Sequence, residues 1–241
     1  MAKEVIVSKA SKEEVGKPAG GAPQGSPDPS GATILARAAE APAAPKPAHQ
    51  RPELPDFWDH RFGQRTIPWD AGGVPQGLAD FVRHEAGQPR TLIPGCGSAY
   101  EAAFLDRLGW PVTALDFSAA AIEAARVQLA GFGGELRHAD FFDFPVSRPF
   151  ELIYERAFLC ALPRHLWPAY APRCAELLVA GGRLAGFFYF GDEPKGPPFT
   201  IRPADLDALL GPWFERLDDA PVDDSIAVFA GKERWQVWRR R

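Results

Sequence analysis

The chain has 241 residues, 46% of them hydrophobic and 12% aromatic, enough to bury one substantial core, which excludes a wholly disordered or collagen-like polymer. A formal charge of -4 leaves no basic surface for neutralising a phosphate backbone, so nucleic acid is not an expected partner. Three widely spaced cysteines, Cys96, Cys160 and Cys174, with no CxxC pair and no histidine cluster beside them, argue against a disulfide framework and a structural zinc site, and no metal is expected.

No aromatic residue precedes Phe57, and KPAGGAPQGSPDPSG and EAPAAPKPAHQRPELP are dominated by Ala, Pro, Gly and Lys. Such a composition cannot offset its ordering entropy by burial. Residues 1–52 therefore read as a flexible tail in which ATILARAAEA can form a transient helix, and residues 53–241 as the folded domain. No apolar run reaches the length of a membrane span, and the N-terminus lacks the charged-then-apolar layout of a signal peptide. A cytoplasmic, monomeric protein with no membrane partner is expected.

From Phe57 onward short β-type runs alternate with amphipathic stretches. GLADFVRHEAG has helical spacing; RTLIPGCG is a strand entering a glycine turn; AYEAAFLDRLG is a helix stopped by Gly109. WPVTALDFS is the second strand, and SAAAIEAARVQLAG is a helix that Ser118 is placed to cap. LRHADFFDF and FELIYERAF supply the third and fourth strands, and PRHLWPAYAPRCAELLVAGG a helix closed by Gly181 and Gly182. RLAGFFYFG is a fifth strand, IRPADLDALLG a helix, and WFERLDDA and ERWQVWRR a final antiparallel pair. The fold class is α/β, a seven-stranded, mostly parallel sheet with helices on both faces.

In an open parallel sheet the ligand lies beyond the carboxyl ends of the strands. The first four strands here end in PGCGS, DFS, ADFF and YERAF. Gly95 and Gly97 let the backbone turn sharply and approach a ligand. Asp116, at the end of the second strand, is placed to accept from both hydroxyls of a ribose. The run Gly95-Cys96-Gly97-Ser98-Ala99-Tyr100 puts a tyrosine where a dinucleotide fingerprint wants its third glycine, which disfavours NAD, and no lysine follows to make a triphosphate loop. An adenosine without a phosphate remains, and S-adenosyl-L-methionine fits; Asp140 can accept from its adenine amine, with Phe141 or Phe142 against the ring. None of the five histidines occupies a clear strand-end position, His165 reads as solvated, and Cys96 and Cys160 lack a partner base.

FWDHRFGQRTIPWDAGGVPQGL, LIPGCGSAYEAAFL, VTALDFSAAAIEAA, ADFFDF, FELIYERAFLCALPRHLWPAYAPRCAELLVAGGRL and GPPF occur in this order. Together they resemble the thiopurine S-methyltransferase superfamily, especially its thiol and halide methyltransferase branch. The resemblance runs from about Phe57 to the C-terminus and implies a Rossmann-like class I methyltransferase sheet using S-adenosyl-L-methionine, with S-adenosyl-L-homocysteine as product. It implies Trp58, Trp69, Gly95, Cys96, Gly97, Asp116, Phe117, Asp140, Phe141 and Glu155 as cofactor contacts. It further implies Arg156, Pro197, Pro198 and Phe199 on the acceptor side, with Arg156 positioning the acceptor and no dedicated general base. A surface pair of Arg156 with Glu155 or Asp143 is the competing account of that arginine. The activity implied is methyl transfer to the sulfur of a small thiol. The alternatives are a halide or chalcogen-oxyanion acceptor, or a protein that binds the cofactor without turning it over.

Overall fold

Runs of aliphatic residues with alternating faces become strands because each flank of the sheet then buries every second side chain. The computed structural model describes residues 46–241; the part of the tail up to residue 45 lies outside the described residues. Seven strands are present: β1 (Thr91–Pro94), β2 (Val112–Asp116), β3 (Glu135–His138), β4 (Phe150–Arg156), β5 (Leu178–Tyr189), β6 (Phe214–Pro221) and β7 (Glu233–Arg240). Among the described residues the helices are α1 (Pro55–Gly63), α2 (Gln76–His84), α3 (Tyr100–Arg107), α4 (Ala119–Gln128), α5 (Trp167–Leu177) and α6 (Pro203–Leu210). None is long and apolar enough to cross a membrane.

The strand order is β3-β2-β1-β4-β5-β7-β6. β1 to β5 are parallel, and β7 runs antiparallel to both of its neighbours. Adjacent residues divide between two cores: Leu92, Ile153, Leu184 and Trp238 face the cluster made with α5 and α6. Ile93, Leu152, Ala185 and Val237 face the cluster made with α2 and α3. The order reverses between β1 and β4, and this opens the crevice that a doubly wound sheet offers a ligand.

Ser118 caps α4 as expected, accepting from the Ala121 amide at 3.1 Å, and Gly109 takes a left-handed turn after α3 (φ +80°). One expectation is corrected. Gly181 and Gly182 do not close α5, which ends at Leu177; they lie in the first, irregular part of β5, where the partners jump from Phe150↔Leu178 to Leu152↔Arg183. Leu178 is fully buried against β4, and pairing in the sheet prevails over another helical turn. Upstream of residue 53 a 3-10 turn spans Ala48–Gln50, and the Pro52 carbonyl accepts from Trp58 Nε1 at 2.8 Å.

Candidate active site

The ends of β1, β2, β3 and β4 form the floor of one cavity. After Pro94 the chain turns through Gly95 and Gly97 with φ of +58° and +50°, a region that penalises any residue with a Cβ. A Cβ on Gly95 would sit 2.5 Å from the Phe158 ring, whereas one on Gly97 would meet only Phe62, at 3.5 Å. Gly95 is thus needed for packing, and Gly97 leaves its backbone open to a ligand.

Asp116 at the end of β2 is 7% exposed. Its Oδ2 accepts from the Gly97 amide at 3.1 Å and its Oδ1 from the Ser118 amide at 2.9 Å. Burial pushes its carboxyl up to about 6, against the lowering effect of the Ser118, Gly97 and Phe117 amides. Each carboxylate oxygen retains acceptor capacity for a hydroxyl. Asp140, after β3, accepts from the Phe142 amide at 2.8 Å, and Phe141 packs edge-on against Phe142 and Phe158 at 5.2 and 5.1 Å.

At the end of β4, Arg156 is nearly buried, its side chain 9% exposed. Its guanidinium lies 3.7 Å from a Glu101 oxygen and 5.4 Å over the Phe187 ring, and its Nε has no partner. The partner of Arg156 is therefore Glu101, on the first turn of α3, and the competing account of a surface pair with Glu155 or Asp143 does not hold. Burial pushes the Glu101 carboxyl up and the Arg156 charge counters it.

The cover comes from the N-terminal side. Trp58 and Trp69 meet edge to face at 5.4 Å, with Phe62 6.3 Å from Trp69. Two carboxylates tie this cover to the loops after β1 and β2: Asp59 accepts from Ser118 Oγ at 2.6 Å and from the Ala120 amide at 3.0 Å, and Asp70 accepts from Ser98 Oγ. Pro197, Pro198 and Phe229 also line the cavity.

Trp58, Trp69, Gly95, Cys96, Gly97, Asp116, Phe117, Asp140, Phe141, Arg156, Pro197 and Pro198 all line this one cavity. Glu155 and Phe199 are not among its lining residues. On an extended strand consecutive side chains face opposite ways, so with Arg156 in the cavity Glu155 turns into the core. There it accepts from the Leu159 amide at 3.2 Å, and burial pushes its carboxyl up to about 8. Phe199 donates its amide to the Cys160 carbonyl at 2.6 Å and lays its ring 5.4 Å from the Arg164 guanidinium.

Sequence reasoning missed Glu53, Asp59, Asp70 and Glu101. Asp70 stands directly after Trp69, which was itself singled out, and Glu101 is an acid in the first turn of the helix after the glycine loop. Those were the available signals. Glu53, Asp70, Glu101, Asp116 and Asp140 line the cavity against two cations, Arg61 and Arg156. An excess of carboxylates over walls of tryptophan and phenylalanine suits a cationic, partly apolar ligand. Burial pushes the Cys96 and Cys160 thiols up, which removes either as a ready nucleophile. Among the described residues no cluster of His, Cys, Asp or Glu has the makings of a metal site.

The family model described as "Thiopurine S-methyltransferase (TPMT)" matches residues 54–241. A probable thiol methyltransferase 2 of Arabidopsis thaliana is 28% identical over 194 residues, covering 76% of this chain and 84% of that protein. A thiopurine S-methyltransferase of Vibrio cholerae is 29% identical over 210 residues, covering 76% and 96%. Among solved structures, 1,6-didemethyltoxoflavin-N1-methyltransferase of Burkholderia thailandensis, crystallised with S-adenosylhomocysteine, superimposes with a TM-score of 0.67 at 16% identity, over 83% of this chain and 93% of that one.

Proposed function

The chain belongs to the thiopurine S-methyltransferase family and is an S-adenosyl-L-methionine-dependent methyltransferase, and from that premise we propose that it methylates the sulfur of a small thiol. The cavity fits the cofactor on its own chemistry: an open glycine backbone, a buried carboxylate with acceptor capacity to spare, and acidic residues among aromatic rings. In this reading Asp116 takes the ribose hydroxyls, and Asp140 and Phe141 hold the adenine. The Gly95–Gly97 turn lies along the amino-acid end, and Trp58 and Trp69 cover the sulfonium. When bound, the cofactor supplies an electrophilic methyl carbon on a positively charged sulfur.

What the chain itself does is align, dehydrate and polarise. Holding acceptor and methyl carbon in line is a proximity effect worth up to roughly 7 to 11 kcal/mol. The tryptophan cover and the Pro197–Pro198 wall exclude water, which matters because a hydrated thiolate attacks poorly. A thiol of ordinary pKa near 8.5 is already ionised by roughly a few per cent at neutral pH, and a neighbouring guanidinium raises that fraction. The observation that carries the sulfur reading is Arg156, a nearly buried cation at the end of β4 in the cavity lining, beside which a thiol of ordinary acidity ionises more readily. A soft acceptor that ionises by itself needs a cation beside it and no general base.

Incubation with methyl-labelled cofactor and a panel of thiols tests this, the expected products being S-methyl compounds and S-adenosylhomocysteine. Turnover on an oxygen or nitrogen acceptor with none on any thiol refutes it.

A further inference from the structure

Between Phe190 and Ile201 the chain forms an arch. Its feet are joined by a parallel bridge between those two residues, with the Gly191 amide donating to the Ile201 carbonyl at 3.2 Å. Its crown carries Pro197 and Pro198 into the cavity. The span between, Asp192 to Gly196, is exposed throughout, its one apolar side chain, Pro194, included. Segments of this kind sit at the low-stability end of a structure unless something ties them.

Arg164 ties it. Its Nη1 donates to the Pro194 carbonyl at 2.8 Å, and its Nη2 to the Glu193 and Thr200 carbonyls at 2.7 and 2.9 Å. The guanidinium thereby bridges both legs of the arch, while the Trp167 and Phe199 rings each lie 5.4 Å from it. A planar fork with several donors can hold three carbonyls and two ring faces at once; a lysine ammonium is a single point charge. The arch has further ties, but the Phe199 amide to the Cys160 carbonyl at 2.6 Å and Thr200 Oγ1 to the Glu193 carbonyl at 3.2 Å are single hydrogen bonds, and the Lys232–Glu193 pair is exposed at the surface, where such pairs contribute little.

We propose that Arg164 is the positioning residue of the acceptor wall: by cross-linking the legs of the 190–201 arch it fixes Pro197 and Pro198 in the cavity, without touching the substrate itself. This rests on the reading above that the two prolines face the acceptor. The cofactor side does not depend on the arch, because Asp116 and Gly97 are held to each other and to the Ser118 amide.

The test uses the full chain with Arg164→Ala and Arg164→Lys. Three quantities are read: amide hydrogen exchange at Gly191, Phe199 and Ile201, S-adenosylhomocysteine affinity by calorimetry, and kcat and KM with benzenethiol as the acceptor probe. In the Ala variant exchange at Phe199 is expected to rise about tenfold or more. Product affinity is expected to stay within about twofold, and acceptor KM to rise about tenfold with a smaller change in kcat. The Lys variant is expected to fall between, and it decides by the same readouts if the Ala variant does not fold. Exchange at the wild-type rate overturns the proposal, as does an equal loss of product affinity and acceptor KM, the mark of a general disturbance. A wild-type enzyme that uses only an oxygen or nitrogen acceptor defeats the sulfur reading alone, and KM is then measured on that acceptor.

Discussion

Oδ2 of Asp116 accepts a hydrogen bond from the Gly97 amide at 3.1 Å across nineteen residues of sequence. One contact thus joins the end of β1 to the end of β2 and fixes the open glycine turn beside the acid proposed to take the ribose. Replacing Asp116 by Asn keeps the shape and removes the charge. Calorimetry is expected to show S-adenosylhomocysteine binding weakened at least about tenfold, or ~1.4 kcal/mol, with thermal stability retained. Unchanged affinity removes Asp116 from the ribose site.

The same carboxyl makes binding depend on pH. Its value of about 6 in the folded protein predicts that product affinity falls below about pH 6, approaching tenfold per unit, because the protonated acid loses acceptor capacity. Stability moves the other way. The folded value lies above the ordinary 3.8, so the native state binds the proton more tightly, and the destabilisation this group causes above about pH 6 fades as pH falls toward about 4. Asp116→Asn is expected to flatten both profiles, and an acid limb of binding that persists in that variant assigns the titration to another group.

Glu155, held at about 8 by burial, is expected to act on stability alone. Its folded value exceeds the ordinary 4.5, so the wild type loses stability as pH rises through that interval. Glu155→Gln keeps an acceptor for the Leu159 amide and cannot ionise, so its Tm is expected to fall less between about pH 6 and about pH 9, with product affinity unchanged. Parallel Tm profiles for the two proteins contradict this.

Asp59 is the strut between α1 and the first turn of α4. Its loss in Asp59→Ala strands one hydroxyl and one amide, expected to cost about 1–2 kcal/mol in urea unfolding. Because α1 also carries Trp58, product affinity is expected to drop with stability. Full stability in the variant shows that water replaces the carboxylate without loss.

Arg156→Ala is expected to raise the acceptor KM about tenfold or more while changing product affinity less, since Arg156 is proposed to face the acceptor. The reverse split, measured by calorimetry and steady-state kinetics on the same preparation, moves Arg156 to the cofactor side.

Much of the architecture was legible from neighbours in the chain. Period-two and helical spacing locate the strands and five of the six helices, because burial of one face imposes the pattern locally. The Ser118 cap and the Gly109 stop are equally local. The α1 helix was not anticipated: in PDFWDHRFG polar and aromatic residues are mixed, and only Phe57 is buried. Alternation along β4 already set Glu155 apart from Arg156, since consecutive strand side chains point to opposite sides of the sheet.

The sequence by itself determined a sheet of alternating strands, a glycine turn and a carboxylate at the next strand end, because propensity and periodicity act between residues close along the chain. Only the tertiary structure decided that Arg156 pairs with Glu101, that Asp59 and Asp70 fasten the tryptophan cover, that Phe199 turns toward Arg164, and that β7 inserts between β5 and β6. Those relationships depend on which strand ends the sheet order brings side by side, and on how much burial each charge meets there.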